Sequence, residues 1–104
     1  MHLITDWDAL DFAEVRPGIL GATIETEQLT VTLYRYGPGS AWEEHRHPED
    51  QVTTVLEGSI DFTIDGRPTT LRAGELAMLP GGVPHAADVP ASGAVSLNVW
   101  RHRG

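Results

Sequence analysis

Three histidines and one glutamine have the residue types and the spacing of a metal-ligand set. His45 and His47 are two positions apart, Gln51 follows four positions later, and His85 comes from a distant segment. On a β-strand, side chains two positions apart project from the same face, so His45 and His47 would present their imidazoles side by side. Imidazole nitrogen and amide oxygen suit Zn, Ni, Fe, Mn or Cu. We therefore expect one divalent transition metal as the cofactor, bound by His45, His47, Gln51 and His85.

The glycines and prolines around these residues indicate the fold that must bring them together. Three of the expected ligands lie between Gly39 and Gly58. The fourth, His85, follows Gly74, Pro80 and Gly82. In this order and spacing, residues 39–58 and 74–89 resemble the two motifs of the cupin superfamily. The resemblance implies an all-β fold, namely a cupin jelly-roll antiparallel β-barrel of six to eight strands with the metal at its centre. It also implies a single cupin domain over residues 1–104.

Two positions depart from the family's pattern. Gln51 stands at the usual glutamate ligand, and Val89 stands where an asparagine often follows the second motif. Glutamine occurs in some cupins that bind metal, so the resemblance implies an altered site, with a metal-free barrel as the alternative. Four neutral ligands would leave the ion its full formal charge. We therefore expect weaker metal binding, a stronger Lewis acid and a stronger attraction for anionic substrates than at a site with glutamate.

The sequence predicts strands almost throughout. Residues 5–14 could form a short helical turn capped by Thr5 or Asp6, before the break at Arg16-Pro17-Gly18. Alternating and β-branched runs predict strands over residues 19–24, 29–36, 52–56, 60–64, 69–72 and 95–100. We expect the chain to reverse at Glu57-Gly58-Ser59 and again at Asp65-Gly66, a typical hairpin turn.

Tyr34, Tyr36 and Asn98 are the candidate catalytic residues. Both tyrosines share one face of a predicted strand, and that face either lines the pocket or covers the outside of a sheet. Asn98 and Trp100 have the same parity on the last strand. We expect both to point toward the metal, because in a metal-centred barrel the wetter face can be the inner one.

Four further residues are expected to take no part in metal binding or catalysis. Glu49 and Asp50 are interpreted as solvated loop acids rather than ligands. Trp42 has the opposite parity from His45 on a regular strand, which predicts packing or an interface. Met78 lies in an apolar run, where methionine commonly fills a barrel interior.

The C-terminal segment is loosely similar to that of the cupins that linearise unsaturated uronate sugars. That group reads approximately Asp-x-Phe followed by an arginine, and this chain reads Asn98-Val99-Trp100 followed by Arg101. An asparagine cannot act as a carboxylate base. The resemblance implies isomerase or lyase chemistry on a small polar or carboxylated metabolite, with Tyr34, Tyr36 or a water at the metal moving a proton. An iron-dependent dioxygenase and a non-catalytic sensor that binds a small ligand are the alternatives.

The charge composition indicates which classes of partner the protein can bind. Fifteen acidic and seven basic residues give a formal net charge of -8, which would repel nucleic acid and anionic membranes. We therefore expect a small-molecule substrate or ligand as the partner, with no nucleic acid and no membrane. The sequence has no cysteine, and its N-terminus does not read as a signal peptide, so a cytoplasmic protein is predicted. A homodimer is also expected, because exposed sheet edges and spare tryptophans favour a two-fold partner.

Overall fold

The computed structural model describes residues 3–101, and antiparallel strands make up most of them. In chain order these are β1 (Ala13–Arg16), β2 (Ile19–Glu25), β3 (Leu29–Tyr36), β4 (Ala41–His45), β5 (Gln51–Ile64), β6 (Arg67–Arg72), β7 (Leu76–Leu79), β8 (His85–Asp88) and β9 (Ala94–Arg101). A single 3-10 turn over Trp7–Ala9 precedes them, and the Asp6 side chain caps it by accepting a hydrogen bond from the Ala9 N–H. The predicted helical turn is confirmed in this shorter form, whereas β1 was not predicted.

The nine strands described between residues 3 and 101 form two sheets that share β5. The first sheet has the order β1-β2-β3-β9-β5-β7, and the second has the order β4-β8-β5-β6. Every pairing is antiparallel. The predicted all-β jelly-roll barrel is confirmed, with more strands than the six to eight expected.

β5 continues through the segment where a reversal was expected. The strand runs from Gln51 to Ile64, so the predicted turn at Glu57-Gly58-Ser59 is wrong. Pairing with β9 slips by one residue between Val55 and Glu57, and Gly58 has a φ of 73°. A Cβ on Gly58 would overlap the carbonyl oxygen of Gly93. Glycine is favoured both in tight turns and in bulges, so Gly58 alone does not distinguish the two. Here it allows one strand to pass from the first sheet into the second.

Period-two alternation separates the interior from the outer faces. Ile19, Val55 and Ile60 are fully buried in the core between the sheets. Met78 is 74% exposed, so its predicted place in the interior is wrong. Met78 pairs with Val52, which points outward because its neighbours on either side face the interior.

Within residues 3–101 no helix is long and apolar enough to span a membrane.

Candidate metal centre

Strand pairing brings His45 and His85 together. β4 ends at His45, β8 begins at His85, and the two residues are register partners whose ring centroids lie 4.3 Å apart. His47 lies beyond the end of β4, so its expected place on the same strand as His45 is wrong. Its ring is nevertheless 5.9 Å from that of His45 and 5.1 Å from that of His85. One ligand atom from each ring lies within 4.8 Å of the others.

The corner that precedes His85 holds the loop that carries His47. The Gly82 N–H donates to the carbonyl oxygen of His47 at 2.8 Å, and the Gly81 N–H donates to the Asp50 carboxylate at 2.8 Å. A Cβ on Gly81 would overlap the carbonyl oxygen of Pro48, so glycine is required for this close approach. Asp50 is an exposed loop acid, as expected, and its hydrogen bond joins the two loops that carry the ligands.

The three histidine rings are oriented in the same way. Each Nδ1 lies 2.8–3.0 Å from a backbone carbonyl oxygen, in the pairs His45 with Glu43, His47 with Glu49, and His85 with Val83. A carbonyl oxygen only accepts hydrogen bonds, so this arrangement assigns the ring proton to Nδ1 and leaves a free lone pair on Nε2. Metal-binding histidines are commonly held in this manner.

Gln51, the first residue of β5, directs its oxygen at the same point. Its Oε1 lies 3.0 Å from Nε2 of His47, while its amide nitrogen donates to Oδ1 of Asn98 at 3.0 Å. A neutral imidazole has one N–H, yet His47 faces an oxygen acceptor on each ring nitrogen. The contact at Nε2 is satisfied either by a second ring proton, which makes His47 an imidazolium, or by a metal ion bound to both atoms. The donor set of three imidazoles and one amide oxygen fits a divalent transition metal.

Burial and nearby charges affect the protonation of the histidine cluster, most directly at His85. The pKa of His85 is lowered from 6.5, first by burial and then by His45 and His47, against the opposing hydrogen bond to Val83. The neutral imidazole favoured in this way is the form that binds metal. Glu49 is not solvated as expected, since one of its carboxylate oxygens is buried without a hydrogen-bond partner, 3.9 Å from Nδ1 of His47. Its charge favours a cation bound at the opposite nitrogen of that ring.

All three candidate catalytic residues reach the same cavity as the histidines. The cavity measures about 250 Å³, and its walls include Tyr34, Tyr36, Asn98 and Trp100. The inward direction predicted for Asn98 and Trp100 is confirmed. Of the two positions left open for the tyrosines, the structure selects the one that lines the pocket.

A chain of hydrogen bonds connects Gln51 with the cavity wall. Asn98 is 2% exposed, accepts from the Gln51 amide, and donates from its own amide to Oγ of Ser96 at 3.0 Å. The Ser96 hydroxyl lies 2.9 Å from that of Tyr36. Both polar ends of Asn98 are therefore engaged by the protein. In this arrangement the Asn98 oxygen faces the Gln51 amide nitrogen, which places the Gln51 oxygen on the side of the histidines.

The two tyrosines keep their protons at neutral pH. Burial, followed by the neighbouring Tyr36, raises the pKa of Tyr34 to about 12 against the opposing charge of Arg16. Burial also raises the pKa of Tyr36, although hydrogen bonds from Ser96 and Trp42 oppose it. Both phenols can therefore donate a hydrogen bond or a proton within the cavity.

Trp42 is a cavity residue that the sequence-based interpretation assigned to packing or an interface. Its ring lies 5.4 Å from that of Tyr34 and 6.1 Å from that of His45. The pairing of β4 with β8 slips between Trp42 and His45, and this bulge places both on the inner side. The adjacent exposed acids Glu43-Glu44 are the available signal, because regular alternation would direct one of them into the barrel.

Comparison with known proteins gives one family and several relatives. The cupin-domain family model matches residues 32–100. The dimethylsulfoniopropionate lyase DddW of Ruegeria pomeroyi is 34% identical over 76 residues, which cover 71% of this chain and 50% of DddW. The HTH-type transcriptional regulator PuuR of Escherichia coli is 33% identical over 66 residues, which cover 62% of this chain and 36% of PuuR.

Among solved structures, KdgF from Halomonas sp. has a TM-score of 0.92, covering 100% of this chain and 96% of KdgF at 20% identity, which is a likeness of fold. The chain spans half the length of DddW and a smaller part of PuuR. The family match, the jelly-roll barrel and the converging histidines together show that the chain belongs to the cupin family.

Proposed function

We propose that this chain is a metal-dependent cupin enzyme that acts on a small carboxylated metabolite by lyase or isomerase chemistry. One observation carries the proposal: three Nε2 lone pairs and the Gln51 oxygen converge on one cavity that two protonated tyrosines also line. The similarity to DddW, a lyase by name, supports the lyase form.

The ligands determine what a bound ion would contribute. His45, His47, His85 and Gln51 would hold it, and it would supply a Lewis acid that polarises a substrate oxygen. Because all four ligands are neutral, the ion keeps its full formal charge and attracts a carboxylate. A cavity of about 250 Å³ suits a small metabolite rather than a polymer.

Tyr34 is the better placed of the two tyrosines for proton transfer. The Tyr36 hydroxyl is already engaged by Ser96 and by the Trp42 indole N–H. For the Tyr34 hydroxyl, residues 3–101 provide no hydrogen-bond partner, although its ring lines the cavity. In this proposal a water molecule in the cavity takes the proton that leaves the substrate carbon, while Tyr34 donates its own proton to the substrate oxygen and regains it as the product forms. Tyr36 supports the wall, and Asn98 positions Gln51.

The test is turnover with a defined metal. Protein loaded separately with Zn, Ni, Fe, Mn or Cu is incubated with dimethylsulfoniopropionate and a panel of small hydroxy and unsaturated carboxylates, and products are followed by NMR. The expected result is turnover that continues without oxygen and is lost in Tyr34→Phe protein with unchanged metal content. Turnover that requires oxygen would instead support the dioxygenase alternative, and full activity in Tyr34→Phe would exclude Tyr34 as the proton donor.

A sensor is the second candidate function, favoured by the similarity to the regulator PuuR. In that case the metal-loaded protein would bind a carboxylate with a clear rise in melting temperature but would release no product. The same NMR samples, followed by thermal melts, distinguish a sensor from an enzyme. Metal content that survives His45→Ala and His85→Ala in folded protein would exclude both functions as proposed.

We also propose a homodimer formed through the outer face of the first sheet. Register aligns five apolar side chains across its strands, in the order Ile24, Val31, Val99, Val52 and Met78. Leu97 and Leu76 extend this outer apolar face in the neighbouring row, and Val52, Leu76 and Met78 are 39%, 56% and 74% exposed. These rows hold no charged side chain in a chain of net charge -8, so two acidic copies could meet here with little direct charge repulsion.

Light scattering tests the dimer. Wild-type protein is expected at twice the chain mass of 11.3 kDa, and Met78→Glu is expected to give monomers. Leu3→Glu adds the same charge at another exposed apolar residue and should leave the dimer intact. A wild-type monomer at micromolar concentrations would refute the proposal. The cytoplasmic location stays a prediction from the sequence.

A further inference from the structure

Arg16 lies against the aromatic wall of the cavity. It is the last residue of β1, and its guanidinium carbon is 5.2 Å from the centre of the Trp42 ring. Trp42 in turn contacts Tyr34 edge-on at 5.4 Å, and both rings line the cavity. A guanidinium stacked on an indole keeps its outward N–H groups available for a planar acid.

A bulge turns Arg16 toward this wall. Glu14 pairs with Leu20, but the next pair is Arg16 with Ile19, so one residue of β1 is extra. Ile19 pairs with Tyr36, whose hydroxyl points into the barrel. Regular alternation from Glu14 would have placed Arg16 on the outer face. Bulges commonly redirect a side chain beside a functional site in this way.

The charge of Arg16 is available to a ligand. One of its nitrogens donates to the carbonyl oxygen of Val15 at 3.2 Å, and no carboxylate in residues 3–101 lies within salt-bridge distance of it. Its positive charge acts on the Tyr34 hydroxyl and partly offsets the rise in the pKa of Tyr34 that burial causes. Arg35 is different, because it lies over the Phe12 ring and binds Asp8 at 2.6 Å.

We propose that Arg16, stacked on Trp42, is a second anchor that binds an anionic group of the substrate, most simply a carboxylate, while the opposite end of the substrate chelates the metal. This inference rests on the proposed metal-dependent function and narrows it. The preferred substrates are then small acids with two anionic ends, rather than acids with an apolar tail. Arg16 is the specificity residue that selects the second acid.

Matched probes of equal length test this selection. Nickel-loaded protein is titrated calorimetrically with malate and α-hydroxybutyrate, and with α-hydroxyglutarate and α-hydroxyvalerate. Each pair shares the chelating hydroxy acid and differs in a terminal carboxylate or methyl group. The dicarboxylate is expected to bind about five- to tenfold more tightly in at least one pair, as a partly exposed ion pair with a guanidinium permits. Metal-free protein gives the background.

The variants separate the anchor from the metal site. Arg16→Gln should abolish the dicarboxylate preference and leave binding of α-hydroxybutyrate and α-hydroxyvalerate unchanged. Arg35→Gln, which removes an arginine from the outer face, should keep the preference. Equal binding of both members of each pair by wild-type protein, or a preference that survives in Arg16→Gln, would overturn the anchor alone. If nickel binding and binding of the two monocarboxylates both fail, the proposed function fails with it.

Discussion

Replacing Asn98 with leucine should weaken both the fold and metal binding. The leucine side chain has a similar volume but is apolar, so the Gln51 amide nitrogen loses its acceptor and Oγ of Ser96 loses a donor. Two hydrogen bonds at about 0.5–1.5 kcal/mol each correspond to a loss of about 1–3 kcal/mol in the free energy of unfolding. For a domain of this size, each kcal/mol lowers Tm by about 4–8 °C.

The same change frees the Gln51 amide to rotate its oxygen away from the histidines. Loss of such a supporting contact commonly reduces metal affinity about 10- to 100-fold. Thermal melts of metal-free protein measure the first effect, and competition for zinc against a fluorescent chelator measures the second.

Two further variants show which effect belongs to which bond. Ser96→Ala removes the hydrogen bonds that Ser96 makes with Asn98 and Tyr36 but keeps the one from Gln51 to Asn98, so stability should fall while zinc affinity stays near that of wild type. Asn98→Asp keeps an acceptor facing Gln51 and should also retain zinc. If Asn98→Leu binds zinc as tightly as wild-type protein does, then either the Gln51 oxygen is not a ligand or Asn98 does not orient it.

Three other changes give independent tests. Gln51→Glu should tighten zinc binding in the chelator competition by adding a negative ligand, and a weaker affinity would show that this side chain does not face the metal. For metal-free protein, burial lowers the folded-state pKa of His85 below 6.5, so the folded state binds fewer protons than the unfolded state. Its contribution to stability is present above pH 6.5 and is lost as the pH falls through the lowered value, so Tm should drop less between pH 7.5 and pH 5 in His85→Gln than in wild-type protein. Gly21→Ala would place a Cβ 3.1 Å from the Tyr34 ring. Alanine loses less backbone entropy than glycine on folding, and this stabilisation of about 0.5–1 kcal/mol should largely offset the crowding. We expect near-normal Tm and metal content but lower turnover, and unchanged turnover would argue against a role for Tyr34.

Some of the site follows from strand geometry and could be predicted from the sequence. The alternation along β9 predicts that Asn98 and Trp100 face the same side, and both line the cavity. The two glycine-rich motifs indicate the barrel, and the histidines within them form the cluster. The inference for β9 succeeds because side-chain direction in a regular strand depends only on parity. The histidines meet even though His47 lies beyond the end of β4.

The tertiary structure decided the features that depend on irregular pairing. Bulges in β1 and β4 turn Arg16 toward the Trp42 ring and Trp42 toward the cavity, and a third lets β5 pass Gly58 instead of reversing. The position of an extra residue depends on the partner strand, which local sequence does not specify. The orientation of the Gln51 amide likewise depends on Asn98, forty-seven residues away along the chain. The sequence by itself determined which residues could bind a metal, because residue type and motif spacing can be read along the chain. Only the packing of distant strands determined which atoms of the histidines and Gln51 converge, and that Arg16 lies over the Trp42 ring.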